Sequence, residues 1–267
     1  MNVIRALVTV TVFATPLAAQ TPAGNGVTYL DTVWHGRQFQ VARVDLNRTQ
    51  LRMYWKNEHG QEIGSVRGLQ TWLAGKGETL LAGMNAGMFN KCSPVPTGLY
   101  IEHGRNPGSP LSTLRRPPHC EVMGNFYEHP NGVFYIARDG TAHIVARDQA
   151  RTRLSNMVEA TQSGPHLLNS GTFHTLRGKP GIPRNAIAVC SPTEVALVLA
   201  PEGARIRELG EFIRDYLHCQ DALYLDGGPV PALLVPGRVE ANVRARAVAM
   251  IGVTPRSTTA AGANPRP

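Results

Sequence analysis

The chain has 267 residues, of which 42% are hydrophobic and 17% charged, and its formal net charge at pH 7 is +8. This composition is ordinary for a globular domain, and the sequence contains no internal repeat or long low-complexity block. Its basic residues are scattered and are not interleaved with aromatic residues, so we expect no nucleic-acid partner.

The first twenty residues differ from the rest. Arg5 is followed by an uncharged run at 6–17 and then by Ala18-Ala19-Gln20, a pattern typical of a signal peptide and too short to span a bilayer. We predict a signal peptide at 1–19, one domain at 20–256, and export to the periplasm or the medium. No other stretch is apolar enough for a membrane helix, so we expect no stable membrane insertion after cleavage.

The mature chain opens with strand-like alternation followed by one helix. The alternation between Val27 and Trp55, broken by a polar turn, predicts an antiparallel opening. Helical spacing at 66–73 predicts a helix, and the apolar run 80–84 predicts a buried strand that ends at Asn85. The segment 91–119 carries six prolines and is predicted to be mostly loop.

Hairpins dominate the second half of the chain. The predicted elements are the strand pairs 133–136 with 142–145 and 186–189 with 195–199, the helix 206–217, and the strands 222–225 and 247–253. Hairpins with two inserted helices favour an α+β single domain with a mixed, largely antiparallel sheet and a few flanking helices. The small polar tail 257–267 is predicted to be disordered.

Four cysteines, Cys92, Cys120, Cys190 and Cys219, follow the predicted signal peptide. An even number in an exported chain indicates two disulfides, for which three pairings are open. We favour Cys92 with Cys120 and Cys190 with Cys219, because each pair closes a short loop. Free buried thiols are the alternative. None of the cysteines lies in a Cys-x-x-Cys pair, so no zinc site is predicted.

Four segments share one design, in which an apolar run begins or ends on a polar residue beside glycine or proline. They are Asn85-Ala86-Gly87-Met88-Phe89-Asn90, Gln162-Ser163-Gly164-Pro165, Pro183-Arg184-Asn185 and Leu225-Asp226-Gly227-Gly228. Taken singly, each is more typical of a turn or an exposed charge than of a site, and Asp226 before two glycines is a common hairpin corner. Chain ends of this type can converge on one side of a sheet, so the four together indicate a site.

With these segments the chain resembles the phosphodiester glycosidase family, which includes the enzyme that uncovers mannose 6-phosphate by removing N-acetylglucosamine. It looks most similar to the exported bacterial branch of that family. The similarity runs from Tyr29 to Val253, and several motifs in order make it specific. Besides the four segments, it includes Pro96-Thr97-Gly98-Leu99-Tyr100, Gly124-Asn125-Phe126 and Pro130-Asn131-Gly132-Val133-Phe134.

The resemblance implies hydrolysis of a sugar-1-phosphodiester to a free sugar and a phosphomonoester. Cleavage at the anomeric carbon develops positive charge, which Asp226 would stabilise or trap, or Asp226 would activate water. The leaving phosphomonoester is stable as an anion, so a fixed cation, Arg184, can replace a strong general acid. The resemblance implies that Asn85 and Asn185 bind sugar hydroxyls. It also implies that Ser163 and the backbones of four glycines make close contacts with the substrate; these are Gly87, Gly164, Gly227 and Gly228.

The sequence does not identify every part of such a site. Glu102, Glu128, Glu202 and Asp221 are available as a second carboxylate, but none stands out, so retention and inversion are not distinguished. No cofactor is expected, and the metal requirement stays open. A calcium ion bound by Asp226 is the alternative, but the sequence does not identify the other residues that would bind it.

One position departs from the family pattern. Pro229 replaces the small polar residue that commonly follows the two glycines, and it removes a backbone donor beside the candidate catalytic carboxylate. A second hypothesis therefore stays open, namely a non-catalytic envelope module that binds the same phosphosugar or glycan. A purely structural envelope protein would explain the fold but not the recurrence of the polar segments.

Overall fold

The computed structural model describes residues 24–89, 94–107, 110–112, 124–127, 131–173 and 180–256. Within these ranges the chain forms one body of sixteen strands, three short α-helices and a few 3₁₀ or π-helical turns. The predicted signal peptide, the predicted tail, Cys92 and Cys120 lie outside the described residues. In the described part, no helix is both long enough and apolar enough to cross a membrane.

The helices and strands follow one another as short elements. In chain order they are β1 (Val27–Trp34), β2 (Arg37–Asp45), β3 (Thr49–Tyr54), α1 (Val66–Gly75), β4 (Ala82–Asn85), β5 (Tyr100–Ile101), β6 (Gly132–Ala137), β7 (Ala142–Ala146), α2 (Arg147–Ala150), β8 (Met157–Ser163), β9 (His166–Asn169), β10 (Thr172–Phe173), β11 (Arg184–Ser191), β12 (Glu194–Ala200), α3 (Ile206–Glu211), β13 (Asp221–Tyr224), β14 (Leu233–Val235), β15 (Val239–Ala241) and β16 (Met250–Pro255).

The strands form three sheets in which every described pair is antiparallel. The seven-stranded sheet has the order β1-β2-β12-β11-β13-β9-β10, the five-stranded sheet β15-β14-β4-β16-β3, and the four-stranded sheet β5-β8-β6-β7. The predicted α+β class with a largely antiparallel sheet is therefore confirmed.

One hydrophobic core joins the three sheets. It contains Ile187 and Leu223 from the seven-stranded sheet, Met84 from the five-stranded sheet and Phe134 from the four-stranded sheet. We call the side of the seven-stranded sheet that faces this core its inner face. Its other side, the outer face, is covered by α3 and the π-helical turn that follows, with Phe212 fully buried there. Because strand side chains alternate, neighbouring residues of β11 and β13 point to different faces.

The structure confirms most predicted elements and corrects several. The helix α1 and the hairpins β6-β7 and β11-β12 lie where they were predicted. The opening strands do not form one sheet: β2 pairs with β1 and β12, whereas β3 pairs with β16 in another sheet. Strand β8 and the hairpin β14-β15 were not predicted, because β8 carries buried polar residues in place of apolar alternation and β14-β15 is only three residues long on each side.

The disulfide between Cys190 and Cys219 is present and closes a sequence separation of 29 residues, as predicted. It links the end of β11 to the residues just before β13, which are neighbours in the seven-stranded sheet. The predicted pair of Cys92 with Cys120 lies outside the described residues.

Candidate active site

The four polar segments meet where the three sheets come together. The amide of Asp226 donates to the carbonyl of Ala86 at 3.2 Å, which joins the end of β13 to the end of β4. The amide of Tyr224 donates to the carbonyl of Pro165 at 3.1 Å, which brings in the segment after β8. The amide of Gly228 donates to the carbonyl of Pro183 at 3.0 Å, just before β11. Backbone hydrogen bonds thus hold all four segments in one place.

Gly87 allows the β4 segment to lie directly against the β8 segment. A Cβ atom at Gly87 would lie 2.6 Å from the carbonyl oxygen of Gln162 and 3.5 Å from Cβ of Ser163. A contact of 2.6 Å with a carbonyl oxygen leaves no room for a side chain. Gly87 therefore brings the backbone after Asn85 to the side of Ser163.

Asn85 and Asn185 form a buried amide network beneath Asp226. The Nδ2 atom of Asn85 donates to the carbonyl of Asp226 at 2.8 Å, and its Oδ1 atom accepts from the amide of Ala232 at 2.8 Å. The Nδ2 atom of Asn185 donates to the same Oδ1 atom at 2.9 Å. Both the nitrogen and the oxygen of the Asn85 side chain are thus hydrogen-bonded within the protein. These bonds fix the backbone of Asp226, the candidate catalytic carboxylate.

Arg184 lies on the outer face of the seven-stranded sheet, opposite to its neighbour Asn185. Ala186 is paired with Tyr224, so alternation places Arg184, Ala186 and Tyr224 on one face. The Nε atom of Arg184 donates to the carbonyl of Ala204, and its Nη1 atom donates to the hydroxyl of Tyr224 at 3.0 Å. The guanidinium carbon also lies 5.6 Å from the centre of the Tyr224 ring, within cation–π range.

The two glycines after Asp226 have different structural roles. A Cβ atom at Gly227 would lie 1.8 Å from the hydroxyl oxygen of Tyr224, so only glycine fits there. Gly228 has a φ of +77°, in the left-handed region that favours glycine. Pro229 follows, and its carbonyl accepts from Nδ2 of Asn242 at 2.9 Å. The chain therefore turns sharply away after the carboxylate.

Asp226 is held between the two faces of the sheet. Its carbonyl is bound by the amide network of the inner face, while the next residue, Gly227, packs on Tyr224 of the outer face. The candidate side chains are all buried, with relative exposures of 3% or less for Asn85, Ser163, Arg184, Asn185 and Asp226.

Among the described residues, the hydroxyl of Ser163 and the Oδ1 atom of Asn185 are buried without a hydrogen-bond partner, and both residues have zero exposure. An unsatisfied buried polar atom costs about 1 to 3 kcal/mol, so such atoms call for an explanation. Gly164 lies next to Ser163 and is joined to Pro165 by a cis peptide bond.

Sequence reasoning missed the contributions of Tyr224 and Gln162. The sequence predicts Tyr224 only as part of the strand 222–225, whereas the structure places its hydroxyl beside Gly227. The sequence pattern assigns no role to Gln162. Its Oε1 atom accepts from the amides of Leu99 and Ser112, and its Nε2 atom donates to Asn131. It thus ties Leu99 and Ser112, two points within the predicted loop 91–119, to Asn131 after it. The sequence signal for this role is its place in the Gln162-Ser163-Gly164-Pro165 motif.

Two of the candidates for a second carboxylate, Asp221 and Glu102, accept hydrogen bonds from other groups. Asp221 begins β13 while Asp226 follows the end of that strand, and Asp221 accepts from the amide of Ser170 at 2.9 Å. Glu102 accepts from the hydroxyl of Tyr100 at 2.6 Å. Glu128 lies outside the described residues. Within the described ranges, no group of three or more His, Cys, Asp or Glu side chains is placed to hold a metal ion.

Comparison with known proteins gives one family. The model of the phosphodiester glycosidase family matches residues 78–254, which include all four polar segments. An uncharacterised Escherichia coli protein, YigE, is 28% identical over 192 residues, which are 70% of this chain and 71% of that protein.

Solved structures of low sequence identity share the fold. A hypothetical protein from Synechocystis has a TM-score of 0.61 at 16% identity, and the match covers 91% of this chain and 64% of that one. The catalytic domain of zebrafish N-acetylglucosamine-1-phosphodiester alpha-N-acetylglucosaminidase has a TM-score of 0.55 at 14% identity, covering 90% of this chain and 82% of that one. A third structure, of a protein from Burkholderia pseudomallei, has a TM-score of 0.51 at 12% identity, covering 85% of this chain and 74% of that one.

Proposed function

Since the chain belongs to the phosphodiester glycosidase family, we propose that it is an exported hydrolase of sugar-1-phosphodiesters that acts on an envelope glycan or a glycolipid-like substrate. The observation that carries this proposal is the position of Asp226. Its backbone carbonyl accepts from Asn85, which is bound to Asn185 on the inner face of the sheet, and the next residue, Gly227, lies against Tyr224, which accepts from Arg184 on the outer face.

That position suits cleavage of the bond between a sugar and a phosphate. With the phosphate on the side of Arg184 and the sugar on the side of Asn185, the Asp226 carboxylate lies beside the anomeric carbon. The bond between that carbon and the phosphate oxygen breaks, and the phosphomonoester leaves as an anion with the bonding electrons. Asp226 stabilises or traps the positive charge that develops, and water supplies the new hydroxyl of the sugar and releases its second proton to the phosphomonoester or to solvent.

Arg184 suits the phosphate because its charge is permanent and its orientation is fixed. The carbonyl of Ala204 and the hydroxyl of Tyr224 hold two of its nitrogen atoms in place. A guanidinium that is held in this way loses little conformational entropy when it binds an anion. Burial strengthens its interaction with the phosphate, because charges interact more strongly where water is excluded.

Two features support the exported location in this proposal. The disulfide between Cys190 and Cys219 is typical of proteins that fold outside the reducing cytosol. The sequence of residues 1–19 has the pattern of a signal peptide.

The proposal is tested by replacing the candidate catalytic carboxylate. We expect Asp226→Asn to lower the release of sugar from the methyl phosphodiester of N-acetylglucosamine 1-phosphate or of glucose 1-phosphate by about a thousandfold, because the amide cannot stabilise the positive charge. Asp221→Asn is the matched control, since it makes the same change at the other end of β13. Thermal unfolding and near-UV circular dichroism check that both variants are folded.

Equal release of sugar by wild type and Asp226→Asn would contradict the catalytic role of Asp226. If wild type releases no sugar but binds the phosphodiester in calorimetry, the protein is a binding module for this ligand and the proposed activity is wrong.

A further inference from the structure

The orientation of the Asn185 amide is determined by backbone groups at the other end of the network. The amide N–H of Ala232 is only a donor, so the atom of Asn85 that faces it must be the oxygen Oδ1. The nitrogen of Asn85 then faces the carbonyl of Asp226, which is only an acceptor, and the assignment is consistent at both ends. Asn185 approaches the same Oδ1 atom, so it must do so with its own nitrogen.

One consequence is that the Asn185 amide uses its nitrogen toward Asn85, which leaves its oxygen as the atom able to accept a hydrogen bond from another group. This Oδ1 atom has no hydrogen-bond partner in the described part of the chain, and Asn185 has zero exposure. If the Asn185 amide were rotated by half a turn, its Oδ1 atom would face the Oδ1 atom of Asn85, and two acceptors would lie against each other. The network therefore locks Asn185 as an acceptor.

Ser163 contributes a second unpartnered polar atom on the same side. Thr161 pairs with Phe134, whose side chain lies in the core shared by the three sheets, and Ser163 is two residues further along the same strand. Alternation places the Ser163 side chain on that inner side, where Gly87 brings it close to the Asn85 segment. A locked acceptor and an unpartnered hydroxyl are thus found on the inner side of Asp226.

An acceptor of this kind discriminates between the two halves of a phosphodiester. A phosphate diester carries only acceptor oxygens and a negative charge, so it is repelled by a carbonyl oxygen. A glycosyl group carries O–H and, in an amino sugar, N–H donors. We propose that Asn185 is a specificity-determining residue whose Oδ1 atom accepts a hydrogen bond from one donor of the glycosyl group, and that it thereby places the sugar on the inner side of Asp226.

This inference rests on the proposed function, because it takes the ligand to be a sugar-1-phosphodiester. It adds the atom that contacts the sugar, the Oδ1 atom of Asn185, and it predicts that this atom recognises a single donor of the sugar. A site built to bond one donor rejects an analogue without it, since the analogue leaves the buried acceptor unpaired.

The test measures kcat/KM for the methyl phosphodiester of N-acetylglucosamine 1-phosphate and for analogues that lack one donor each, at positions 2, 3, 4 and 6. We expect one deletion to lower the wild-type value by about 10- to 100-fold, the effect of leaving one buried acceptor unpaired. Asn185→Ala should show a similar loss with the parent compound and no further loss with that one analogue. Asn169→Ala, at the exposed end of β9, is the matched control and should behave as wild type.

The same panel in calorimetry with Asp226→Asn, which is expected not to turn over, separates the two claims. If wild type cleaves no phosphodiester but binding depends on one donor through Asn185, the inference holds and the proposed activity fails. If wild type cleaves all analogues equally well, the inference is wrong and the activity stands. If Asn185→Ala keeps the wild-type discrimination, or if no member is cleaved or bound, the inference is also wrong.

Discussion

At the scale of single residues, the candidate site depends on side chains that do not themselves carry the chemistry. The hydroxyl of Tyr224 accepts from Nη1 of Arg184, and its ring lies beneath the guanidinium, so it fixes the cation that is proposed to bind phosphate. The same hydroxyl lies against Gly227, next to Asp226. Tyr224 is therefore a positioning residue for both candidate catalytic groups.

We expect Tyr224→Phe to raise KM for a sugar-1-phosphodiester by about tenfold, because the buried guanidinium loses one acceptor worth about 1.5 kcal/mol. Inhibition by the free sugar should not change, since the sugar is placed on the opposite side of Asp226. Tyr216→Phe makes the same change where the hydroxyl lies 3.3 Å from the hydroxyl of Thr32, and it serves as the control. Identical kinetics for the two variants would contradict the positioning role.

Part of this residue-scale picture was accessible from the sequence. Asn85, Ser163, Arg184 and Asp226 are predicted because each belongs to a segment with glycine or proline in which an apolar run begins or ends on a polar residue. The sequence did not reveal that Asn85 is engaged by Ala232 and Asp226, because these bonds join residues 147 and 141 positions apart. Hydrogen bonds between distant segments leave no periodic pattern in the sequence.

At the scale of elements, one buried acid ties the four-stranded sheet to the five-stranded sheet. Glu159 of β8 accepts from the amide of Met53 in β3 at 2.8 Å and from the amide of His103 at 3.0 Å, and it is 5% exposed. Burial raises the pKa of Glu159 to about 7, although both backbone hydrogen bonds and the nearby Arg52 favour the charged form. The fold therefore binds a proton at Glu159 more tightly than the unfolded chain does.

This difference predicts a pH-dependent stability. Because the folded-state pKa is raised, the contribution of Glu159 is fully present below its usual value of 4.5 and is lost as the pH rises to about 7. The loss amounts to roughly 3 kcal/mol of unfolding free energy. In Glu159→Gln the side chain no longer titrates, so the stability of wild type relative to this variant should fall by about that amount between pH 4.5 and 7.

Urea unfolding at a series of pH values measures this difference. Glu240→Gln, which removes an exposed carboxylate that pairs with Arg67, is the control for a general charge effect. Stability curves for wild type and Glu159→Gln that stay parallel across this range would contradict the prediction.

At the scale of the whole molecule, the candidate site exists only because three sheets share one core. The strand ends of β4, β8 and β13 come from the five-, four- and seven-stranded sheets respectively, and β11 begins beside the end of β13. The α+β class followed from the hairpin signals at β6-β7 and β11-β12. The division into three sheets did not, because the pairing of β3 with β16 joins residues about two hundred positions apart and nothing local specifies it.

The central claim is that the site where the three sheets meet cleaves the bond between the anomeric carbon of the sugar and the phosphate oxygen. It does not cleave a bond between phosphorus and oxygen. Hydrolysis of the methyl phosphodiester of N-acetylglucosamine 1-phosphate in H₂¹⁸O, followed by mass spectrometry of the phosphomonoester, measures this directly. We predict that the methyl phosphate product carries no heavy oxygen, because water attacks the anomeric carbon of the sugar and the phosphate keeps all its original oxygens. A phosphomonoester that contains one heavy oxygen would show attack at phosphorus and would contradict the assignment of this site as a glycosidase.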